Sequence, residues 1–107
     1  MKQIYILAIT ILFFNGCNTT QDKQIENKFN IYISKLSNEE IEHNLSKGLK
    51  PIAIKDNIDV KGFANTAGSL ALKDNRPSNN AFLIQKLVDN GYFVIGKTNL
   101  SEWANFR

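Results

Sequence analysis

Two short apolar segments separated by a helical pattern constrain the fold of this chain more than any other feature. Pro51–Ile58 and Tyr92–Ile95 have the composition of β-strands, and the second is apolar throughout, as a strand buried on both faces would be. Between them lies an amphipathic helical pattern with a predicted N-cap at Ser78 and a stop at Asn90-Gly91. The apolar positions of this pattern are Phe82, Leu83, Ile84, Leu87 and Val88. A strand–helix–strand order predicts a parallel pair with a right-handed crossover, so the fold class is α/β.

Helical segments are also predicted on either side of this unit. Leu36–Lys47 is predicted to be a helix, because Ser37 followed by Glu40 three residues later forms a capping-box pattern. Gly48 is a suitable helix stop. Leu100–Phe106 is predicted to begin another helix.

The N-terminus has the layout of an export signal. Lys2 precedes an apolar run over residues 4–14, which is shorter than the roughly 20 residues that span a bilayer. Gly16 then stands directly before Cys17, the single cysteine, an arrangement that resembles a bacterial lipoprotein signal. The prediction is a leader over residues 1–17, lipidation at Cys17, a polar tether over 18–35 and an exported protein anchored at the bacterial cell envelope. An ordinary signal peptide that happens to contain a cysteine is the alternative.

The charge distribution excludes some classes of partner. The chain carries 13 basic and 10 acidic residues, a net charge of +3, and the basic residues are scattered. A nucleic-acid surface would need them clustered on one face, so no nucleic-acid partner is expected. The lone His43 has no ligand pattern around it, so no metal site is predicted.

Lys55 is the strongest candidate for a catalytic residue. Side chains alternate along a strand, so Lys55 shares a face with Ala53, Asn57 and Asp59, whereas Asp56 points to the opposite face. A lysine that acts as a general base must be neutral, and its pKa must fall from about 10.4 toward 7–8. Burial away from carboxylates lowers a lysine pKa. On the strand alone, a lysine whose head group reaches solvent is the more common interpretation.

Three blocks together resemble the opening of the amidase signature family: Pro51–Asp59 with its lysine, Thr66–Ser69, and Val94–Phe106. The resemblance implies a mixed or parallel sheet flanked by helices, with residues 36–107 as the N-terminal part of an amidase domain. It implies that Lys55 is the base of a Lys–Ser–Ser relay that hydrolyses a carboxamide without a metal or organic cofactor. Two segments, Ala67–Leu72 and Asn99–Arg107, look most like the peptide-amidase branch. This resemblance makes peptide amides candidate substrates and gives Ala104 and Asn105 a place near the substrate pocket.

The two serines of the relay belong to a Gly/Ser-rich block that does not occur before Arg107. Ser69 and Ser101 do not lie in a nucleophile motif, and Ser69 is instead predicted to begin a short helical turn through Leu72. Two parallel strands would leave both sheet edges unpaired, so the fold is expected to continue beyond Arg107. The 107-residue chain alone is therefore expected to be inactive. The alternatives are a non-catalytic truncated surface lipoprotein and a protein similar to the amidase-like component of an amidotransferase.

Overall fold

A computed structural model describes residues 28–105, and these form a small mixed sheet with two helices. The strands are β1 (Tyr32–Lys35), β2 (Lys50–Lys55) and β3 (Tyr92–Thr98). The helices are α1 (Asn38–Ser46) and α2 (Phe82–Asp89). Two 3-10 turns, Leu70–Leu72 and Glu102–Ala104, complete the regular structure. The predicted α/β class is confirmed.

The sheet has the order β1-β3-β2, so β3 is central. Strands β2 and β3 are parallel, with Lys50 opposite Tyr92 and Lys55 opposite Thr98, which confirms the predicted strand–helix–strand unit. Strand β1 runs antiparallel to β3 and was not predicted, since its residues were assigned to the polar tether. Pairing on both sides also extends β3 as far as Thr98, three residues beyond the predicted strand.

Gly96 explains how β1 approaches β3 so closely. A Cβ atom at this position would lie 2.6 Å from the Ser34 carbonyl oxygen and 2.9 Å from a ring carbon of Tyr32. Real Cβ atoms do not come this near to backbone, so only glycine fits here without moving β1.

A small apolar core lies between the sheet and α2. Ile54, Val60 and Ile84 are buried, and they pack with partly buried residues such as Ile52 and Leu87. Burial of one such side chain contributes about 1.5–3 kcal/mol. Of the predicted apolar stripe on α2, Ile84 and Leu87 face this core, whereas Phe82, Leu83 and Val88 are exposed.

Helix α1 follows the sequence prediction closely. The Ser37 side chain accepts from the Glu40 backbone N–H, and the Glu40 carboxylate accepts from the Ser37 N–H at 2.9 Å, so the capping box is confirmed. Gly48 follows the helix with a φ of +77°, a left-handed conformation that glycine adopts without strain.

The start predicted for α2 is wrong. The helix begins at Phe82 after Ala81, and Ser78 does not cap it. The Asn80 side chain accepts from the Lys61 backbone N–H at 2.8 Å and donates to Gln85 within the helix. These bonds tie the helix entry to the loop after β2.

The helix predicted from Leu100 is also wrong over the residues described. Only the 3-10 turn Glu102–Ala104 forms, because Trp103 and Ala104 adopt φ values of +57° and +54° that interrupt a helix. The turn after Ser69 forms as predicted, with the Ser69 side chain accepting from the Ala71 N–H.

Several sequence predictions concern residues outside the described part of the chain. These are the leader, the lipidation of Cys17, the tether up to residue 27, and Phe106. Within residues 28–105, none of the helices combines the length and apolar character needed to cross a membrane.

Candidate active site

Lys55 lies at the carboxyl end of β2, beside the carboxyl end of β3. The ends of parallel strands are where open α/β sheets commonly bind ligands. Ile54 is buried while Ala53 and Lys55 are exposed, which confirms the predicted alternation of faces within β2, but the strand ends at Lys55 and not at the predicted Ile58. After Lys55 the chain turns, and the Ile58 N–H donates to the Lys55 carbonyl at 3.1 Å. Lys55 therefore projects from a fixed strand end with its side chain accessible.

Asp56 anchors the other face of this strand end. Its side chain is completely buried, and one carboxylate oxygen accepts from both the backbone N–H (3.0 Å) and the hydroxyl of Thr66. Its backbone N–H donates to the Thr98 carbonyl at 3.1 Å. Asp56 thus joins β2, β3 and the second of the three sequence blocks.

Lys97 is a buried cation that the sequence analysis did not identify. Its side chain has no exposed surface, and its ammonium donates to the carbonyl oxygens of Ile58 (2.8 Å), Ala64 (3.1 Å) and Asp56 (3.3 Å). The second Asp56 carboxylate oxygen lies 3.6 Å from the same ammonium. Burial lowers the pKa of Lys97, while the charges of Asp56 and Asp59 act in the opposite direction.

The environment of Lys97 excludes it as a base that meets substrate. All three N–H donors of its ammonium are used by backbone carbonyls, and solvent does not reach the side chain. Lys55 is the accessible lysine at this strand end. One sequence signal could have identified Lys97. Nothing between Ile95 and Thr98 forces the strand to end, so Lys97 can belong to the same strand as the apolar residues before it.

The segment Thr66–Ser69 packs against the segment that follows β3. Ser69 is buried and its hydroxyl donates to the Glu102 carboxylate at 2.7 Å. The Trp103 N–H donates to the Ala67 carbonyl at 2.8 Å. Gly68 has a φ of +70°, and a Cβ there would lie 2.9 Å from the Leu100 carbonyl oxygen, so a side chain would push the two segments apart.

Neither serine considered at the sequence level is bonded to a lysine. Ser69 donates to Glu102 as described, and the Ser101 hydroxyl donates to the Asn105 carbonyl. Ser69 is also 5% exposed, which leaves little access for an attacked carbonyl. Both arrangements are structural.

A shallow depression of about 510 Å³ lies between β1 and the Thr66–Ser69 segment. Its lining includes Ser34, Thr66, Ser69 and Arg76. Lys55, Ala104 and Asn105 do not line it. Ala104 is half-buried and Asn105 is exposed, and their place near the substrate pocket stays a prediction.

Within the described range, no group of three or more His, Cys, Asp or Glu side chains is arranged to hold a metal ion. His43 is exposed on α1. This strand end carries one accessible amine and a buried ion pair, and two packed loops lie beside them.

Comparison with known proteins shows that the chain belongs to the amidase family. The family model named Amidase matches residues 15–107. A component of the glutamyl-tRNA(Gln) amidotransferase of Methanosarcina acetivorans is 42% identical over 100 residues, which is 94% of this chain and 20% of that protein. The mandelamide hydrolase of Pseudomonas putida is 53% identical over 60 residues, which is 56% of this chain and 12% of that enzyme.

The solved structures agree with this assignment. Native peptide amidase from Stenotrophomonas maltophilia superposes with a TM-score of 0.57 and 40% identity, covering 72% of this chain and 18% of the enzyme. The chain therefore spans about a fifth or less of the length of these relatives.

Proposed function

We propose that this chain supplies the base-bearing part of an amidase that hydrolyses the C–N bond of a carboxamide. The observation that carries the proposal is the position of Lys55: it is the accessible lysine at the carboxyl end of β2, and the buried Asp56 and Thr66 fix this strand end. The family membership supports the reaction class, since the related enzymes are named as amide hydrolases or amidotransferases.

The chemistry proposed for Lys55 is proton transfer. As a neutral amine it accepts a proton relayed through one serine from a second serine, whose oxygen attacks the amide carbonyl. Collapse of the tetrahedral intermediate expels the amine, which takes up the proton, and leaves an acyl-serine ester that water hydrolyses to the acid. Backbone N–H groups hold the negative oxygen in both steps. Both relay serines are proposed from the family resemblance, and Ser69 and Ser101 are assigned neither role.

Peptide amides are the proposed substrates. The 40% identity to a peptide amidase supports this choice, while the 53% identity to mandelamide hydrolase supports the broader class of carboxamides. The names of both enzymes describe the cleavage of amides.

The decisive experiment begins by reading the gene beyond the codon for Arg107 and purifying its whole product. Release of ammonia from a C-terminally amidated dipeptide is then measured for the wild type, Lys55→Ala and Lys61→Ala. Lys61 is an exposed lysine on the loop after β2, and it serves as the matched control. Loss of general-base catalysis predicts a fall of about 10²–10⁴-fold for Lys55→Ala alone. Equal activity of both variants would remove Lys55 from the mechanism.

An amidotransferase role is the second candidate, because the 42% identity to a component of a glutamyl-tRNA(Gln) amidotransferase extends over 94% of the chain. The same product is assayed for conversion of glutamyl-tRNA(Gln) with glutamine as the nitrogen donor, in the presence of the other amidotransferase components. Formation of glutaminyl-tRNA, with no hydrolysis of peptide amides, would favour this role over the first. A product inactive in both assays would favour a non-catalytic lipoprotein.

We also propose that the protein is exported and lipid-anchored through Cys17. The support is the short basic start, the apolar run over residues 4–14 and the Gly16-Cys17 pair. Metabolic labelling with radioactive palmitate should mark the wild type and not Cys17→Ser. Equal labelling of both proteins, or of neither, would contradict lipidation at Cys17.

A further inference from the structure

The strongest unexplained feature of the described residues is the completely buried ammonium of Lys97. Its three oxygen partners are backbone carbonyls, and a carboxylate oxygen completes the shell at 3.6 Å. Three carbonyls and one carboxylate around a single positive charge is the environment that proteins give to a bound metal cation. Here a side chain from β3 supplies the cation, so the site needs no ion from solution.

The carbonyls come from three separate points of one segment. They belong to the residue after Lys55, to the turn two residues further on, and to the loop just before Thr66. The Asp56 carboxylate has one oxygen bound by Thr66 and the other without a hydrogen-bond donor, facing Lys97. Without the ammonium, this oxygen and the Asp56 carbonyl would be buried without a partner, which is costly, and the partly buried carbonyls of Ile58 and Ala64 would lose theirs.

We propose that Lys97 is a positioning residue, a tethered structural cation that fixes the segment from Asp56 to Thr66 and thereby the strand end that presents Lys55. The catalytic part of this inference rests on the proposed function, while the structural part does not. Lys97 touches no substrate in this scheme. It acts through the segment from Asp56 to Thr66. Lys55 directly precedes this segment, and the Thr66–Ser69 loop begins at its other end.

The structural part is tested by chemical rescue of Lys97→Ala in the full chain. The alanine variant retains Cβ, so n-propylammonium has the length of the missing atoms, and 1-propanol has the same carbon chain without the charge. Removing the partner of a buried carboxylate should lower the melting temperature by about 10 °C or more. Millimolar n-propylammonium should restore a large part of this loss, and 1-propanol at the same concentration should not.

The outcomes separate clearly. A melting temperature within about 2 °C of the wild type for both Lys97→Ala and Lys97→Met would overturn the proposal, as would equal effects of the two additives. If Lys97→Ala does not fold, it is refolded in each additive. Recovery in n-propylammonium alone supports the tethered cation, and recovery in both or in neither overturns it.

The positioning part is tested on the active gene product. Lys97→Ala should lower kcat by at least tenfold with KM little changed, and n-propylammonium should restore kcat, because only the orientation of the base is lost. Ser37→Ala, which removes the capping box of α1 and no contact of this segment, is the control and should keep its kcat when folded. If the wild type has no amidase activity, the proposed function fails while the melting experiment still decides the structural claim. If rescue restores stability without restoring kcat, Lys97 has no positioning role.

Discussion

Gly68 offers the sharpest test of how the loops of the candidate site pack. We predict that Gly68→Ala destabilises the fold much more than Gly62→Ala. Both glycines have positive φ values, +70° and +93°, but a Cβ at Gly62 meets nothing within 4 Å, whereas one at Gly68 lies 2.9 Å from the Leu100 carbonyl oxygen. Gly62→Ala therefore measures the conformational cost alone.

The magnitudes follow from these two contributions. A left-handed conformation costs an alanine about 1–2 kcal/mol, and the stiffer unfolded chain offsets about 0.4–1 kcal/mol of that cost. Gly62→Ala should thus lower the free energy of unfolding by about 1 kcal/mol. The backbone clash at Gly68 adds about 1–3 kcal/mol, for a total of about 2–4 kcal/mol.

Urea unfolding followed by circular dichroism gives the two free energies. The emission of Trp103, the single tryptophan, reports on the loop itself, because the backbone N–H of Trp103 donates to the carbonyl of Ala67, the residue before Gly68. Gly68→Ala should change the native emission spectrum, and Gly62→Ala should not. If the two variants differ by less than about 0.5 kcal/mol and have the same emission, the packing of these loops is not as described.

Three further predictions use other parts of the chain. Ile84→Ala should lower the free energy of unfolding by about 2–5 kcal/mol, because Ile84 is 1% exposed, whereas Leu83→Ala, at a residue 61% exposed on the same helix, should have little effect in the same urea titration. Hydrogen bonds from Ser37 hold the pKa of Glu40 below its ordinary value of 4.5. This carboxylate therefore stabilises the fold above pH 4.5, and the stabilisation is lost as the pH falls through the lower pKa of the folded state. The stability difference between wild type and Glu40→Gln should shrink over that acidic range, and an unchanged difference would contradict the capping box. The 107-residue chain should release no ammonia from a peptide amide, and activity lost in Lys55→Ala would refute this.

Local signals in the sequence predicted the elements that depend on neighbouring residues. The capping box of Ser37 and Glu40, the stop at Gly48 and the alternation around Lys55 need only the nearest turn or strand, and all three are present. The parallel pairing of β2 and β3 also followed, because a single helix can connect them in few ways.

Distant pairing decided the features that the sequence did not predict. Strand β1 is four residues long and half exposed, and only its partner β3 makes it a strand. The burial of Lys97 depends on carbonyls as far as 41 residues away in the chain. The start of α2 was missed for a related reason, because distant partners hold the residues before it: the Ala81 N–H donates to the Asp59 carbonyl, and the Asn80 side chain accepts from the Lys61 N–H.

The antiparallel pairing of β1 with β3 has a consequence for how the chain folds during synthesis. Lys35 pairs with Gly96, so 61 residues (96 minus 35) separate the two partners. At roughly 5–20 residues per second, β1 waits about 3–12 s after its own synthesis before its partner exists. During that interval its backbone is available to other chains, and the exposed Ile31 and Ile33 side chains accompany it. Slow translation between the two strands should therefore increase aggregation of the nascent protein.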